Sequence, residues 1–281
     1  MNAHPSWIEI DLTQFRKNLQ IVRRYLSPAK FCLPVKANAY GHGLIKIAQV
    51  AEEEGVDYLA VAHLNEALFL RKHRLSIPIL ILGAIHEDQI ADLLKENIEI
   101  SISSLFKAQL VEKKCQELNT SCSVHLEIDT GMQRTGVRPS SASCLIRYVE
   151  NSPFLNLKGI YSHLATATSS KDRIAQAQIE AFKSIFSLVS KKPVLFHLAN
   201  SQGAVFFKEA LFDMARPSLL AFGYPPQEAG KPFDEIAPFF SLKSKISYFK
   251  VVQKGEGISY GHLHVTKRQT RIVTVPLGYG D

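Results

Sequence analysis

Cysteine is scarce in this 281-residue chain: Cys32, Cys115, Cys122 and Cys144 fall at irregular spacing, with no C-x-x-C pair. A disulfide framework or a structural zinc site needs a tighter pattern. The four therefore read as reduced thiols, two of them inside apolar runs that suit small core residues, and no metal site is expected. Long hydrophobic runs are also missing: no stretch nears the roughly 18 apolar residues of a membrane span. The N-terminal MNAHPSWIEIDL carries acidic residues where a secretory signal has its apolar run. Low-complexity tracts are absent. With 15 Gly and 13 Pro the chain is not collagen-like, and 46% hydrophobic against 21% charged residues is not the balance of a disordered one. A soluble, cytoplasmic protein with no membrane partner is expected.

Acidic residues are outnumbered, 26 against 33 basic ones, for a net charge of +7. Such a balance raises nucleic acid as a partner. The basic residues, however, are scattered over apparent helix faces (Arg16, Lys17, Arg23, Arg24, Arg71, Lys72, Arg74), and no nucleic-acid motif accompanies them. The expectation is a solvated basic surface, no nucleic-acid partner, and a site that handles anions.

Eight short apolar runs recur at the interval of a βα unit: residues 31–37, 58–62, 77–83, 98–103, 123–129, 157–165, 193–199 and 212–223. Most are continuous and do not alternate, as strands buried on both faces of a parallel sheet require. Between them, GLIKIAQVAEEEG puts Leu44, Ile47, Ala48 and Ala51 on one helical stripe, with Glu52 to Glu54 outside it. RIAQAQIEAFKSIFSLVS does the same with Ile174, Ile179, Phe182, Phe186 and Val189. An open doubly wound sheet competes as a reading, but eight even repeats favour closure. The predicted fold class is α/β, a (β/α)8 TIM barrel.

After Pro225–Pro226 the pattern changes. FSLKSKISYFKVV alternates, with Phe240, Leu242, Ser244 and Ile246 on one face, and predicts one antiparallel strand with one wet face. GEGISYGHLHV and RIVTVPLGYGD continue in that style. The expected domains are an N-terminal strand (1–10) joining the β domain, a barrel (11–232), and the start of an all-β C-terminal domain (233–281).

Chemistry-bearing residues sit where these strands end, the place of active sites in such barrels. The first barrel strand ends in VKANAYGHG. A lysine alone is ordinarily a surface residue. Lys36, however, follows Cys32, Leu33, Pro34 and Val35, which sets its amine at the rim of a barrel interior, able to form a Schiff base with an aldehyde cofactor. Further candidates are DTGMQRTG (129–136), YSHLATA (161–167), HLANSQG (197–203), MARPSLLAFG (214–223) and GEGISYGHLH (255–264).

These six strings, in this order along nearly the whole chain, resemble those of the alanine racemases; VKANAYGHG is the most specific and HLANS the least. The resemblance implies an enzyme dependent on pyridoxal 5'-phosphate that interconverts L- and D-alanine through an external aldimine and supplies D-alanine for peptidoglycan. It implies that Lys36 binds the cofactor and is one catalytic base. Tyr40 contacts the phosphate, Arg134 the phenolic oxygen and the substrate carboxylate, and Arg216 the pyridine nitrogen. His163 is expected to link Arg216 to the second base. Asn200, Ser201, Ser218 and Leu219 complete the cofactor set, with His197 behind them. Tyr260 is the second base, lent by the other subunit of a homodimer. Where the family often has a carbamylated lysine this chain has Glu127, expected to hold Arg134 without carbon dioxide.

VPLGYGD ends the chain inside a string the family continues, so the resemblance implies an incomplete β domain. Such a chain is expected to dimerise poorly, to aggregate, and to racemise alanine weakly or not at all. A non-catalytic pyridoxal-phosphate protein, a cofactor-binding pseudoenzyme, a serine or broad-specificity racemase, and a decarboxylase of the same fold remain as alternatives.

Overall fold

The structure is a computed structural model that describes residues 5–190 and 193–279. The described chain opens on strand β1 (Ser6–Ile10). Eight strands then close into a barrel: β2 (Lys30–Pro34), β3 (Tyr58–Val61), β4 (Ile79–Ile81), β5 (Glu99–Ile102), β6 (Cys122–Glu127), β7 (Leu155–Tyr161), β8 (Leu195–His197) and β9 (Met214–Ala215). Every pairing is parallel, and β9 bonds back to β2. Each of the eight apolar runs supplies one strand. Their continuous hydrophobicity follows from burial on both faces: every residue of β3 and of β4 is buried.

The helices between strands bury one stripe each. Helix Leu44–Glu53 buries Leu44, Ile47, Ala48 and Ala51, as the periodicity predicts, and Val50 as well. Helix Arg173–Lys183 departs from expectation. Ile179 and Phe182 are buried, but Ile174 is 60% exposed. The cause is local: Asp172 caps this helix by accepting from the amides of Ile174 and Ala175, which places Ile174 in a first turn that faces outward. Phe186 and Val189 lie beyond the helix, and the Phe186 ring packs 4.0 Å from that of Phe196.

Two compact units result, Leu12–Phe239 and a unit made of the chain's first eleven residues with Phe240 onward. The barrel unit runs on past Pro232 because Phe233, Ile236 and Phe239 are buried, Phe239 against Phe15 (4.7 Å) and His42 (4.8 Å).

In the other unit β1 pairs antiparallel with β10 (Phe240–Ser244), Ser6 opposite Ser244. Strand β11 (Tyr248–Val252) pairs with β14 (Thr270–Thr274), and β12 (Gly257–Ile258) with β13 (His264–Val265). The single long strand expected over 240–252 is therefore two. Lys245 donates its amide to Pro5 and Ser247 donates to Thr274, so the chain changes partners between them. The expectation of one wet face also needs correction. Leu242, Tyr248, Phe249 and Val251 are each more than half exposed, so their alternation does not mark a covered side. No described helix is long and apolar enough to cross a membrane.

Candidate active site

The C-terminal ends of the barrel strands surround a cavity of about 520 Å³, a size that suits a small ligand. Among its lining residues Lys36, Arg134 and Arg216 are cationic and Glu127 is the one carboxylate. Pro34, the 60–62 and 82–84 segments and Tyr161 supply much of the remaining wall.

Lys36 follows β2 directly, and what comes next is a left-handed turn. Ala37, Asn38, Ala39 and Tyr40 all have φ between 53° and 55°, followed by Gly41 at 86° and Gly43 at 93°. For residues with a Cβ this conformation costs roughly 1–2 kcal/mol each, so other contacts must hold it. The carboxylate of Glu66 accepts from the Ala37 amide at 2.6 Å and from the amides of Ala62 and His63. Asn38 Oδ1 accepts from the Leu44 amide at 2.8 Å, and the Ala39 methyl is fully buried. The turn swings Tyr40 to the cavity wall, where its ring meets Phe222 edge-on (5.1 Å) and its hydroxyl bonds Ser218; burial pushes the phenol's pKa up.

Glu127 ends β6 and Arg134 lies in the loop that follows. Asp129 shapes this loop by accepting from the amides of Gly131 (2.9 Å) and Gln133 (3.1 Å). Gly136 returns so close to β6 that a Cβ there would lie 2.9 Å from the Glu127 carbonyl oxygen. The Glu127 side chain is buried, and it accepts from Thr135 Oγ1 at 2.7 Å and from Tyr161. Burial raises its pKa, while these bonds and the charge of Arg134 pull the other way. The carboxylate thus grips the loop one residue past Arg134; no Glu127–Arg134 ion pair is present among the described residues.

Arg216 follows β9 and is 3% exposed. Its Nη1 donates to His197 Nδ1 (2.8 Å) and to the His197 carbonyl (3.1 Å). Its Nη2 donates to the Ser162 carbonyl (2.6 Å) and lies 3.4 Å from His163 Nδ1. The Tyr161 ring lies beneath the guanidinium at 5.3 Å. Burial drives the pKa of His163 down to about 3, helped by the charges of Arg216, Arg134 and Lys36. At neutral pH this imidazole is uncharged and can accept from Arg216.

Asn200 caps helix Ser201–Phe206 by accepting from the Gly203 amide at 2.9 Å. Ser201 Oγ accepts from the Leu220 amide at 3.1 Å, which joins the loops after β8 and β9. Ser218 and Leu219 begin the turn after β9 and line the same cavity. His197 lies behind Arg216 and is fully buried. Tyr260 stands in the other unit, in the short turn Tyr260–His262, with its side chain 97% exposed. Every residue that lines the cavity belongs to the barrel unit.

Sequence reasoning overlooked Tyr161 and Thr135, both cavity residues, and the buried His125, which bonds His197. Tyr161 had a signal: it ends the apolar run of β7 two residues before His163. Thr135 had none, since its role depends on where the loop returns.

A model of the alanine racemase N-terminal domain matches residues 10–226, and one of the C-terminal domain matches residues 239–281. An alanine racemase of Desulforamulus reducens is 36% identical over 283 residues, covering 99% of this chain and 76% of the relative. The chain belongs to the alanine racemase family. A solved alanine racemase of Clostridium difficile superposes with a TM-score of 0.92 at 32% identity, over 100% of this chain and 75% of that one. A histidine racemase of Leuconostoc mesenteroides superposes at 0.90, covering 100% of this chain and 76% of its own; at 24% identity it shows a shared fold alone.

The family's cofactor is pyridoxal 5'-phosphate, and the enzymes are isomerases. The cavity fits that group by its donor set. The Lys36 amine, the hydroxyls of Tyr40, Ser201 and Ser218, and the buried guanidinium of Arg216 all line it, with the Tyr40 and Ser218 hydroxyls bonded to each other. Three cations against one carboxylate suit a ligand that carries a phosphate.

Proposed function

We propose that this protein is an alanine racemase that acts as a homodimer in the cytoplasm and supplies D-alanine for peptidoglycan. The observation that carries the reading is the cavity that puts Lys36 within one pocket with the buried Arg216, in a chain of this family. When bound, pyridoxal 5'-phosphate supplies an aldehyde that captures amines and a conjugated ring that acidifies the α-hydrogen of an amino acid.

Lys36 would hold the cofactor through its amine and would move the proton at Cα of the substrate on one face. Tyr260 of the partner subunit moves the proton on the opposite face, as inversion at that carbon requires. Arg134 binds the substrate carboxylate and the cofactor's phenolic oxygen, and the Glu127–Thr135 bond fixes its loop. Tyr40, Asn200, Ser201, Ser218 and Leu219 bind the phosphate end. Arg216 donates to the pyridine nitrogen. Being unable to give up its proton, a guanidinium there would only donate, which would leave that nitrogen unprotonated and favour proton exchange at Cα. His163, neutral beside it, accepts from Arg216 on Nδ1 and carries a hydrogen on Nε2 toward the second base. The buried, unpaired thiols of Cys32, Cys115 and Cys122 suit a reducing compartment.

The test is spectral and kinetic. The purified protein is expected to show a visible cofactor band that borohydride abolishes and that Lys36→Ala lacks. Extended to the length of its relatives, of which it covers about three quarters, it is expected to turn over both alanine enantiomers at a rate that Tyr260→Phe reduces at least a hundredfold. A bound cofactor with no turnover of either enantiomer by that longer chain contradicts the racemase reading, and a band that survives in Lys36→Ala contradicts the role of that lysine.

A further inference from the structure

Arg216 is one end of a hydrogen-bond chain that runs down the barrel interior. Its Nη1 meets His197 Nδ1 at 2.8 Å, His197 Nε2 meets His125 Nδ1 at 2.9 Å, and His125 Nε2 meets Glu99 Oε2 at 2.7 Å. Arg216 follows β9, His197 ends β8, His125 lies within β6 and Glu99 begins β5. The chain therefore leads from the cavity at the strands' C-terminal ends toward their N-terminal ends. His125 and His197 are fully buried, and the Glu99 side chain is 12% exposed.

The chain has one direction. A guanidinium only donates, so His197 Nδ1 accepts, and that neutral ring carries its hydrogen on Nε2. This N–H points at His125 Nδ1, which must accept, so the hydrogen of His125 is also on Nε2. There it meets a carboxylate, which only accepts. Protonating His125 on Nδ1 would set two hydrogens against each other at His197 or, by reversing that ring, at Arg216. Two further observations show a site built to hold this arrangement. A Cβ on Gly159 would lie 2.3 Å from His125 Nδ1, so the ring occupies space that glycine leaves open. Tyr58 bonds the Glu99 carboxylate and lies edge-on to His125 at 6.2 Å.

Arg216 is a buried charge whose direct partners among the described residues are imidazoles and carbonyl oxygens, with no carboxylate. Buried charges ordinarily have a counter-charge. We propose that Glu99 and His125 are positioning residues for Arg216: the one-way chain fixes both imidazoles as Nε2–H tautomers and links the guanidinium to a carboxylate two rings away. Polarised in series, these bonds reinforce one another and hold the guanidinium in one orientation with its charge intact. The catalytic consequence rests on the reading that Arg216 addresses the cofactor's pyridine nitrogen.

The test uses the full chain. Nitrogen NMR of ¹⁵N-histidine-labelled protein at neutral pH is expected to show Nδ1 bare and Nε2 protonated on both His125 and His197, with signals assigned by His→Gln variants. A hydrogen on Nδ1 of either ring, or a doubly protonated ring, overturns the chain. Glu99→Gln keeps an acceptor and removes the charge. In the holoenzyme it is expected to displace the visible cofactor band and to lower kcat about tenfold at unchanged KM, the difference between a charge-assisted and a neutral bond. A Glu99→Gln enzyme that loses only thermal stability, with band and kcat as in the parent, reduces Glu99 to a structural residue and overturns the proposal. A parent protein with no cofactor band refutes the functional reading instead, and the tautomers of its two histidines still decide whether the chain exists.

Discussion

At the scale of single residues, the electrostatics of the cavity have a measurable signature in stability. His163 has a pKa near 6.5 in the unfolded chain and about 3 when folded, because burial and three cations oppose its charge. Between those values the unfolded state binds the extra proton, so the stability this group contributes is fully present above pH 6.5 and is lost as pH falls toward 3. His197, also held well below its usual value by burial, has the same sign. Each contributes a slope of about 1.4 kcal/mol per pH unit. His163→Gln should flatten the pH dependence of urea unfolding between pH 6.5 and 5 by about that amount; an unchanged slope would show that His163 charges freely in the folded protein. Glu127 works oppositely: burial raises its pKa, so the stability it contributes is present below pH 4.5 and is lost as pH rises through the raised value. As a carboxylate that needs no carbon dioxide, it should leave activity indifferent to added bicarbonate, and a marked stimulation would contradict that. The residues legible in sequence were those whose strings are local: Lys36 and Tyr40 in one nonapeptide, Asn200 and Ser201 in one heptapeptide. His125 and Glu99 were not, because their meaning lies in contacts between strands 26 residues apart in sequence, and an inward histidine reads like any other polar residue on a strand.

At the scale of elements, the strands were legible and the connections were not. Continuous apolar runs placed all eight barrel strands because burial on both faces leaves a simple trace. The left-handed turn after Lys36 left its two glycines and Asn38, a residue that tolerates positive φ, to read, since nothing in Ala37 or Ala39 favours that conformation. That turn makes a prediction contrary to helix propensity. Ala37 is exposed, and Ala37→Gly should stabilise the protein by about 1 kcal/mol by relieving a left-handed residue, measured by denaturant unfolding. A loss of similar size, normal for glycine in a right-handed helix, would contradict the turn. Glu66→Ala removes the carboxylate that accepts from Ala37, Ala62 and His63. It should cost about 2–3 kcal/mol and weaken cofactor retention, because the strained turn that presents Lys36 loses its anchor. The run over 240–252 misled for a related reason: alternation marks a strand but says nothing of where it breaks to take a new partner.

At the scale of the whole molecule, the proposed site is shared between subunits. Lys36 belongs to the barrel unit and Tyr260 to the other unit, and in the proposal the second comes from the partner subunit. If Tyr260 is lent across a two-fold axis, Lys36→Ala and Tyr260→Phe, each nearly inactive, should complement when mixed and allowed to exchange. Half the dimers are then mixed, each with one intact site, so about a quarter of parental activity should return. No recovery after verified exchange would place both groups in one subunit or remove one from the site. The claim beneath all of this is that two different groups serve the two faces of one carbon, and isotope exchange tests it most directly. In deuterated water, Tyr260→Phe is expected to wash out the α-hydrogen of one alanine enantiomer through Lys36 while forming almost none of the other. Equal exchange from both enantiomers, or racemisation at the parental rate, would contradict the two-base account.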